Sequence, residues 1–194
     1  MRKKYLFRLD TSKIKIESKR LIIRGFTMAD LNDLNEYASV DGVGQMAGWL
    51  PHKDLNHSKA ILLNFILNQN VFALELKENK KVIGSISIEK IYRNHLGKEF
   101  LNLKGREIGY VLNKEYWGQR LMPEAVNTVV DYLFKESDYN YLMCAHFENN
   151  LQSKKVIEKT GFKFKRKIKF PTLFNQDEIA YLYYKLKKEE ERGE

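Results

Sequence analysis

Residues Arg106 to Val126, REIGYVLNKEYWGQRLMPEAV, give the strongest structural signal in this chain. The first part has the apolar and aromatic character of a strand, the middle is polar, and the last part begins an amphipathic helix. Gly118 permits a tight turn before the helix, and Pro123 suits the first helical turn, where a backbone N–H is dispensable. The first turn of a helix also presents unpaired N–H groups and a partial positive charge. The segment therefore predicts a strand, a loop and a helix start that suits a phosphate group.

Strands and helices alternate through the rest of the sequence. Apolar runs predict further strands at residues 20–26, 71–76, 81–88, 141–147, 162–170 and 179–186. Hydrophobic periodicity predicts helices that begin at Thr27, near Ser58 and near Met122, and a last helix from Asn150 to Thr160 that stops at Gly161. The alternation in the second half favours at least one parallel strand pair, with crossover helices packed on the sheet. The expected fold class is therefore α/β (α+β).

The composition excludes several classes of protein. The chain has 194 residues, a formal net charge of +9 and 43% hydrophobic residues, so a folded basic domain is expected rather than a disordered chain. Cys144 is the single cysteine, which excludes an intramolecular disulfide framework and favours a reducing, cytoplasmic compartment. No apolar run reaches the roughly 20 residues of a membrane-spanning helix. We therefore expect no membrane partner. The four histidines lack the spacing of a metal site, so we expect no metal either.

The positive charge predicts attraction to an acidic partner. Nucleic acid, an anionic membrane, a ribosome surface or a phosphate-rich cofactor would all satisfy it. Several basic residues alternate along one predicted strand, and their ordinary role is a solvated sheet edge; they are Lys163, Lys165, Arg166, Lys167 and Lys169. No aromatic platform of the kind that stacks on single-stranded bases accompanies them, so nucleic-acid binding is not expected.

The chain shows no internal repeat and no Gly/Ser/Pro-rich linker, so one domain over residues 17–186 is expected. Residues 1–16 form a basic N-terminal arm in this interpretation, and residues 187–194 form a charged, solvated tail. Both a monomer and a homodimer are compatible with this organisation.

Two blocks of the sequence resemble a known family. Glu107-Ile-Gly-Tyr-Val-Leu, Tyr116-Trp-Gly-Gln and Pro123-Glu-Ala-Val follow one another as in the cofactor-binding motif of the GNAT N-acetyltransferase superfamily. The second block, Asn150-Leu-Gln-Ser-Lys-Lys-Val-Ile-Glu-Lys-Thr-Gly-Phe, resembles the Asn-x-x-Ser…Glu-Lys-x-Gly-Phe motif of the ribosomal-protein-alanine N-acetyltransferase (RimJ/RimL-like) branch. Arg20-Leu-Ile-Ile-Arg and Val82-Ile-Gly-Ser-Ile are also similar to the opening strand and central hairpin of that branch. The resemblance covers roughly residues 17 to 186, with its motifs in family order.

The resemblance implies a mixed central sheet of about seven strands, splayed open between residues 106–112 and 141–147, with helices on both faces. It also implies that acetyl-CoA is the co-substrate and that its pantetheine arm lies in the gap. The arm would contact the backbone of Tyr110, Val111 and Leu112 on one side and Asn150 and Ser153 on the other. The pyrophosphate would lie on the N–H groups of Gly118, Gln119, Arg120, Leu121 and Met122.

Two positions depart from the family pattern. Arg120 stands where the phosphate loop of the family has a glycine, and it is strained if that position needs a positive φ but harmless if it is already helical. We expect the helical conformation. Ile157 stands where several GNAT branches have a tyrosine that protonates the leaving thiolate. Ser153 is the substitute that the resemblance suggests for this role, although a serine in a first helical turn can equally be structural.

Direct transfer of an acetyl group needs a neutral amine, a route for its proton and a donor to the thioester oxygen. Glu107 is the candidate base, directly or through water, and its alternative role is a solvated or cross-strand-paired carboxylate. A backbone N–H near Tyr110 or Val111 would polarise the carbonyl group. Trp49 and His52 lie in a loop that borders the acceptor side in this family and are candidate substrate contacts, with a solvated loop position as the alternative for His52.

The sequence thus predicts an acetyl-CoA-dependent N-acetyltransferase. It would move the acetyl group directly, in a ternary complex, to a primary amine of a protein N-terminus or of a small molecule. Two alternatives remain open. One is a CoA-binding module that has lost catalysis, which Arg120, Met122 and the absent tyrosine at Ile157 motivate, and the other is a basic ribosome- or RNA-interaction module, which the charge motivates. The acceptor loops at residues 40–58 and 171–177 carry no readable substrate code.

Overall fold

The computed structural model describes residues 9–91, 97–172 and 177–188. Within them it has eight strands: β1 (Lys15–Glu17), β2 (Leu21–Gly25), β3 (Val71–Leu76), β4 (Val82–Glu89), β5 (Gly105–Leu112), β6 (Tyr141–Phe147), β7 (Lys163–Pro171) and β8 (Asp177–Leu186). The same ranges contain four α-helices: α1 (Leu31–Ala38), α2 (Leu55–Asn68), α3 (Leu121–Glu136) and α4 (Leu151–Lys159). Residues 1–8 of the expected N-terminal arm, 173–176 of one acceptor loop and 189–194 of the charged tail lie outside the described residues.

The elements agree with those expected from the sequence, apart from two differences. β1 is an additional strand in the segment assigned to the N-terminal arm, and it pairs antiparallel with β2, with Ile16 opposite Ile23. A strand of three residues carries no periodic signal, so pairing with β2 rather than local sequence defines it. α2 begins at Leu55 instead of near Ser58 because Asp54 caps it and accepts a hydrogen bond from the N–H of residue 57 at 2.8 Å.

The strands form one sheet in the order β1-β2-β3-β4-β5-β6-β8-β7. Neighbouring strands are antiparallel except for β5 and β6, which are parallel. These two strands pair only at their first residues, from Gly105 opposite Tyr141 to Glu107 opposite Met143. Past Glu107 they separate, so the sheet is open in its middle. The predicted mixed, splayed sheet is confirmed, with eight strands instead of about seven.

Helices cover both faces of the sheet, as predicted. On one face, α3 buries Val129 and Leu133 completely, and α4 adds Ile157 to the same core. On the other face, α1 and α2 bury Leu34 and Leu62 in a second core. Full burial of a Val or Leu side chain contributes about 1.5–3 kcal/mol. The first core includes Ile108 of β5 and Leu142 of β6, so it holds both strands in position although they share few hydrogen bonds with each other.

Side-chain caps fix the beginnings of α1, on one face of the sheet, and of α4, beside the opening. Thr27 and Asp30 form a capping box ahead of α1, where the sequence predicts that a helix begins. Arg24 adds two hydrogen bonds to Asp30, at 2.8 and 2.9 Å. At the start of α4, the side chain of Asn150 accepts a hydrogen bond from the Ser153 N–H at 3.0 Å. Both residues selected from the second motif block are thus held at the edge of the gap.

Candidate active site

A cavity of about 410 Å³ occupies the place where β5 and β6 separate. Residues 107–112 of β5 and 144–147 of β6 form two of its walls. The start of α3, the first turns of α4 and the short turn at Gln45–Ala47 complete it. Ten residues selected from the sequence line this cavity: Glu107, Tyr110, Val111, Leu112, Gly118, Arg120, Leu121, Met122, Asn150 and Ser153.

The open edge of β5 presents backbone groups to the cavity. The Asn113 N–H donates to a β4 carbonyl at 2.7 Å, which sets the hydrogen-bond alternation between these two strands. Because opposed residues in an antiparallel pair alternate between bonded and non-bonded positions, Val111 bonds to β4 whereas Tyr110 and Leu112 point their N–H and C=O groups into the gap. The Leu112 carbonyl accepts a hydrogen bond from the Trp117 indole at 2.9 Å. The Tyr110 backbone therefore faces the cavity, and Val111 contributes its side chain rather than its backbone.

Backbone N–H groups converge at the start of α3. Gly118 has a φ of 77° and Arg120 a φ of 62°, so the chain enters the helix through two left-handed residues. Within the part of the chain that the structure describes, the N–H groups of residues 118–122 donate no hydrogen bond. Free donors at the positive end of a helix form a binding site for an anion. This is the phosphate-compatible loop that the sequence predicts.

The conformation expected for Arg120 is wrong. The residue is left-handed, with φ 62° and ψ 17°, and helical geometry begins only at Leu121. Glycine adopts this conformation without strain, whereas a residue with a side chain costs about 1–3 kcal/mol there. The Arg120 side chain lines the cavity. The strained residue thus adds a cation to the anion site.

The residues around the cavity fit acetyl-CoA. Arg120 lies beside the free N–H groups, and Lys155 and Lys159 of α4 line the same cavity, so phosphates would meet positive charge. Much of the wall between β5 and β6 is apolar, which suits a pantetheine arm. The Tyr110 backbone and the start of α3 are the groups that would hold the arm and the pyrophosphate.

Glu107 is a buried carboxyl group in the cavity wall. It is 9% exposed. Burial, with a smaller contribution from the charge of Glu89, raises the pKa of Glu107 to about 7. Glu89 lies directly opposite it on β4, so its cross-strand neighbour repels it instead of pairing with it. Neither alternative from the sequence, a solvated or a paired carboxylate, describes this environment. A carboxyl group with a near-neutral pKa can take up and release a proton at physiological pH, which a general base requires.

Two hydroxyl groups meet on the α4 side of the cavity. The Tyr110 hydroxyl lies 2.8 Å from the Ser153 hydroxyl and donates to the Ser153 carbonyl at 3.1 Å. Burial raises the pKa of Tyr110 well above its usual value, so the phenol stays protonated near neutral pH. The Asn150 side chain donates to the Met46 carbonyl at 3.1 Å and thereby ties α4 to the turn at Gln45–Ala47. The cluster places proton donors in the cavity in fixed positions.

Three residues selected from the sequence do not line the cavity. The Gln119 side chain turns back and donates to the Glu115 carbonyl at 3.2 Å. His52 is buried, with its Nδ1 atom 2.9 Å from the Ser58 hydroxyl, and burial lowers its pKa to about 4. The Trp49 ring lies 5.3 Å from the His52 ring. His52 and Trp49 therefore pack inside the loop, and His52 is not the solvated residue that its loop position suggested.

The structure also brings residues to the cavity that the sequence reasoning missed. Met46, His146 and Phe147 line it. The His146 Nδ1–H donates to the Phe147 carbonyl at 2.8 Å, and its Nε2 atom lies 3.3 Å from the Tyr183 hydroxyl. The sequence contains a signal for His146, because residues two positions apart on a strand share a face. His146 therefore lies on the same face as Cys144, which packs against the helices. No comparable local pattern indicates Met46.

Comparison with known proteins agrees with this geometry. The family model described as acetyltransferase (GNAT) domain matches residues 20–163. The chain belongs to the GNAT acetyltransferase family. The probable N-acetyltransferase YjcK of Bacillus subtilis (strain 168) is 35% identical to this GNAT protein over 91 residues. That match covers 47% of this chain and 46% of YjcK, so it spans about half the length of the relative.

Solved GNAT structures share the fold. An acetyltransferase (GNAT family) from Bacillus anthracis superposes with a TM-score of 0.77 at 24% identity, over 91% of this chain and 100% of its own. The ribosomal-protein-S5-alanine acetyltransferase from Vibrio fischeri gives 0.70 at 24% identity, over 90% and 97%. The Microcin C7 self immunity acetyltransferase MccE, solved in complex with acetyl-CoA and AMP, gives 0.71 at 16% identity, over 92% and 98%.

Membership in the GNAT family gives this cavity its general chemistry. The protein is an acetyltransferase of the type that uses acetyl-CoA for N-acetylation. Among residues 9–91, 97–172 and 177–188, no helix is both long and apolar enough to cross a bilayer. The same ranges contain no group of three or more His, Cys, Asp or Glu side chains that could hold a metal ion.

Proposed function

We propose that this GNAT enzyme transfers an acetyl group directly to a primary amine in a ternary complex, with Glu107 as the general base. The observation that carries the proposal is a buried carboxyl group with a pKa of about 7 in the wall of the cavity. When bound, acetyl-CoA supplies a thioester whose acetyl carbon is open to attack by an amine. The amine must lose a proton to act, because an α-amino group titrates near pH 8 and a lysine near pH 10.4.

In this proposal one residue of β5 acts on the acceptor amine and another acts on the thioester. Glu107 and Tyr110 differ by an odd number of positions, so their side chains point to opposite faces of the strand. Glu107 takes the proton from the amine on one face. The Tyr110 N–H points into the gap, where it would donate a hydrogen bond to the thioester oxygen and stabilise the charge that develops there.

Ser153 and Tyr110 are the proposed source of the proton for the leaving sulfur. Their hydroxyl groups are 2.8 Å apart and Ser153 lines the cavity, so Ser153 can give its proton to the leaving thiolate while the Tyr110 O–H turns from the Ser153 carbonyl to the serine oxygen and donates its proton there. Tyr110 then takes a new proton from solvent after the products leave, and Glu107 releases to solvent the proton that it took from the amine. This arrangement supports the substitution of Ser153 for the tyrosine that is absent at Ile157. The Asn150 cap holds the Ser153 backbone in place.

The acceptor that we propose is a protein N-terminal α-amine or a small-molecule monoamine. Met46, Ala47, Phe147 and Ala180 give part of the cavity an apolar surface, and Glu107 is the carboxyl group beside it. A polyamine acceptor would need several carboxylates, and the described lining offers one. The likeness to the ribosomal-protein-S5-alanine acetyltransferase supports a protein N-terminus as the first class to test.

We further propose that the enzyme acts in the cytoplasm, as a monomer or a homodimer. Cys144 is a free, buried cysteine, which suits a reducing compartment. Neither nucleic acid nor a membrane is required by the proposed reaction.

The test measures release of free CoA from acetyl-CoA with a panel of acceptors: peptides with a free N-terminal alanine or serine, the same peptides with a blocked N-terminus, and spermidine. We expect turnover with the free N-termini and none with the blocked peptides. Glu107→Gln should lower kcat/KM about 100-fold or more, the usual contribution of a general base, while calorimetry shows unchanged CoA binding. A protein that does not bind CoA contradicts the proposal, and one that binds CoA but acetylates no amine is the catalytically silent module instead.

A further inference from the structure

Arg20 does not line the cavity, but its side chain binds the loop and the helix at the start of α3. Its Nη1 atom donates to the Gln119 carbonyl at 3.0 Å. Its Nε and Nη2 atoms each lie 2.8 Å from Oε2 of Glu124, in the first turn of the helix. One guanidinium group thus connects the loop before α3 with the helix itself.

The backbone near Arg20 strengthens the same connection. The Arg20 N–H donates to Oε1 of Glu124 at 2.8 Å, and the Ser18 hydroxyl donates to that oxygen at 2.6 Å. Partial burial alone would raise the pKa of Glu124, but these hydrogen bonds and the Arg20 charge hold it below its usual value. Glu124 therefore stays charged at neutral pH, and the segment before β2 is fastened to α3.

These contacts bracket the strained residue. Arg120 lies between the Gln119 carbonyl and the first turn of α3, and Arg20 binds on both sides of it. A left-handed residue with a side chain persists only where its surroundings fix it. The N–H groups of residues 118–122 form no hydrogen bonds of their own to the described residues, so they do not hold this turn in shape. The side-chain contacts of Arg20 do, together with the hydrogen bond from the Gln119 side chain to the Glu115 carbonyl and the one from the Glu124 N–H to the Arg120 carbonyl.

We infer that Arg20 is a positioning residue for the anion site, and that it holds the strained turn in the conformation that presents the N–H donors to the pyrophosphate of CoA. Its Nε, Nη1 and Nη2 atoms already have protein partners, so Arg20 acts through the loop and not by touching the ligand. The inference rests on the proposed function in one respect, that the anion belongs to CoA.

The test compares Arg20→Ala with the wild-type protein on two ligands. CoA carries the pyrophosphate and is titrated by calorimetry, and S-acetylpantetheine lacks the pyrophosphate and is titrated by NMR. We expect Arg20→Ala to raise the Kd of CoA about tenfold and to leave the Kd of S-acetylpantetheine within twofold. Arg20→Lys keeps the charge but cannot reach both partners with a fork of donors, so its Kd for CoA should be intermediate.

Arg24→Ala is the matched control. Arg24 lies on β2, which begins directly after Arg20, and is paired with Asp30 and Glu75, away from the start of α3. Its loss should lower the unfolding temperature without changing the Kd of CoA. If Arg20→Ala does not fold, Glu124→Gln tests the same contact, because it removes the charge that Arg20 binds and preserves the shape of the side chain.

The outcomes separate this inference from the proposed function. An unchanged Kd of CoA in Arg20→Ala, or an equal loss for both ligands, overturns the positioning role alone. A wild-type protein that binds no CoA removes the proposed function and this inference together. A loss confined to CoA supports both.

Discussion

Glu107 has two properties that oppose each other. Its burial gives it the near-neutral pKa that a base needs, and the same burial disfavours its charged form in the folded protein. The folded pKa of about 7 lies above the ordinary value of 4.5, so the carboxyl group favours folding while it is protonated. Stability must therefore fall as the pH rises from about 4.5 through about 7, by about 3 kcal/mol in all.

Glu107→Gln should consequently make the protein more stable at pH 8, by about 3 kcal/mol, and leave its stability at pH 4 nearly unchanged. The free energy of unfolding from urea titrations at the two pH values checks this. Glu78→Gln, in the turn between β3 and β4, is the control for removing a negative charge from an exposed position and should change neither value by more than about 0.5 kcal/mol. Equal effects at both pH values would contradict the role of burial.

The activity should show the same ionisation. A general base works only when deprotonated, so kcat/KM should rise with pH to a plateau with a midpoint near 7. Because the charge of Glu89 contributes to the raised pKa of Glu107, Glu89→Gln should move that midpoint to lower pH and keep the plateau. A pH profile recorded with a peptide acceptor measures both. An unmoved midpoint would show that the two carboxyl groups do not interact.

At the scale of an element, the entry into α3 is where strain and binding coincide. Arg120→Gly and Arg120→Ala both remove the guanidinium group, but only glycine relieves the left-handed φ of 62°. The glycine variant should be more stable than the alanine variant by about 1 kcal/mol, measured by urea unfolding. Both variants should bind CoA more weakly than the wild-type protein. A glycine variant no more stable than the alanine variant would mean that this turn carries no strain.

The elements also show what the sequence can and cannot predict. Strands and helices longer than a few residues follow from hydrophobic periodicity, which is a local property. Their order predicts at least one parallel strand pair but does not say which; in the structure it is β5–β6. The helix stop at Gly161, with φ 78°, follows from residue type. The conformation of Arg120 and the burial of His52 depend on contacts with distant segments, so no local pattern reveals them.

The sequence likewise predicts part of the cavity lining and misses the rest. The residues of β5, α3 and α4 that line it were selected because two motif blocks place them there. Met46 lines the cavity, and its carbonyl accepts a hydrogen bond from the Asn150 side chain, a contact between segments 104 positions apart. A contact between such distant segments leaves no local pattern in the sequence.

At the scale of the whole molecule, the charge of +9 is distributed over unlike surfaces. On β7, Lys165 pairs with Glu99 and lies over the Phe100 ring, and Lys167 lies 3.2 Å from Glu148, so part of the basic strand is already neutralised. Lys155 and Lys159 line the cavity instead. An anionic ligand in the cavity would therefore meet the charges of Lys155 and Lys159 rather than those of β7.

Two charge-reversal variants separate these surfaces. Lys155→Glu with Lys159→Glu, and Lys163→Glu with Lys169→Glu, change the net charge equally but only the first pair lines the cavity. The first variant should raise the Kd of CoA about tenfold at low salt, because an exposed ion pair contributes roughly 0.2–1 kcal/mol and reversal turns two attractions into repulsions. The second should leave it within twofold. Calorimetry at two salt concentrations checks both, and an equal weakening in the two variants would show that net charge alone attracts the ligand.

The gap between β5 and β6 affects how readily the protein aggregates. Past Glu107 and Met143, each strand presents an inner edge with backbone groups that no other strand of the described chain covers. An extended segment of another chain can pair with such an edge. Charged residues, prolines and bulges protect the outer edges of a sheet against this pairing, but the two inner edges lie in the middle of the sheet. A ligand lying in the gap shields both edges, and one present at about 100 times its Kd adds about 2.7 kcal/mol of stability. The concentration of acetyl-CoA should therefore set the aggregation rate of the enzyme as well as its turnover rate.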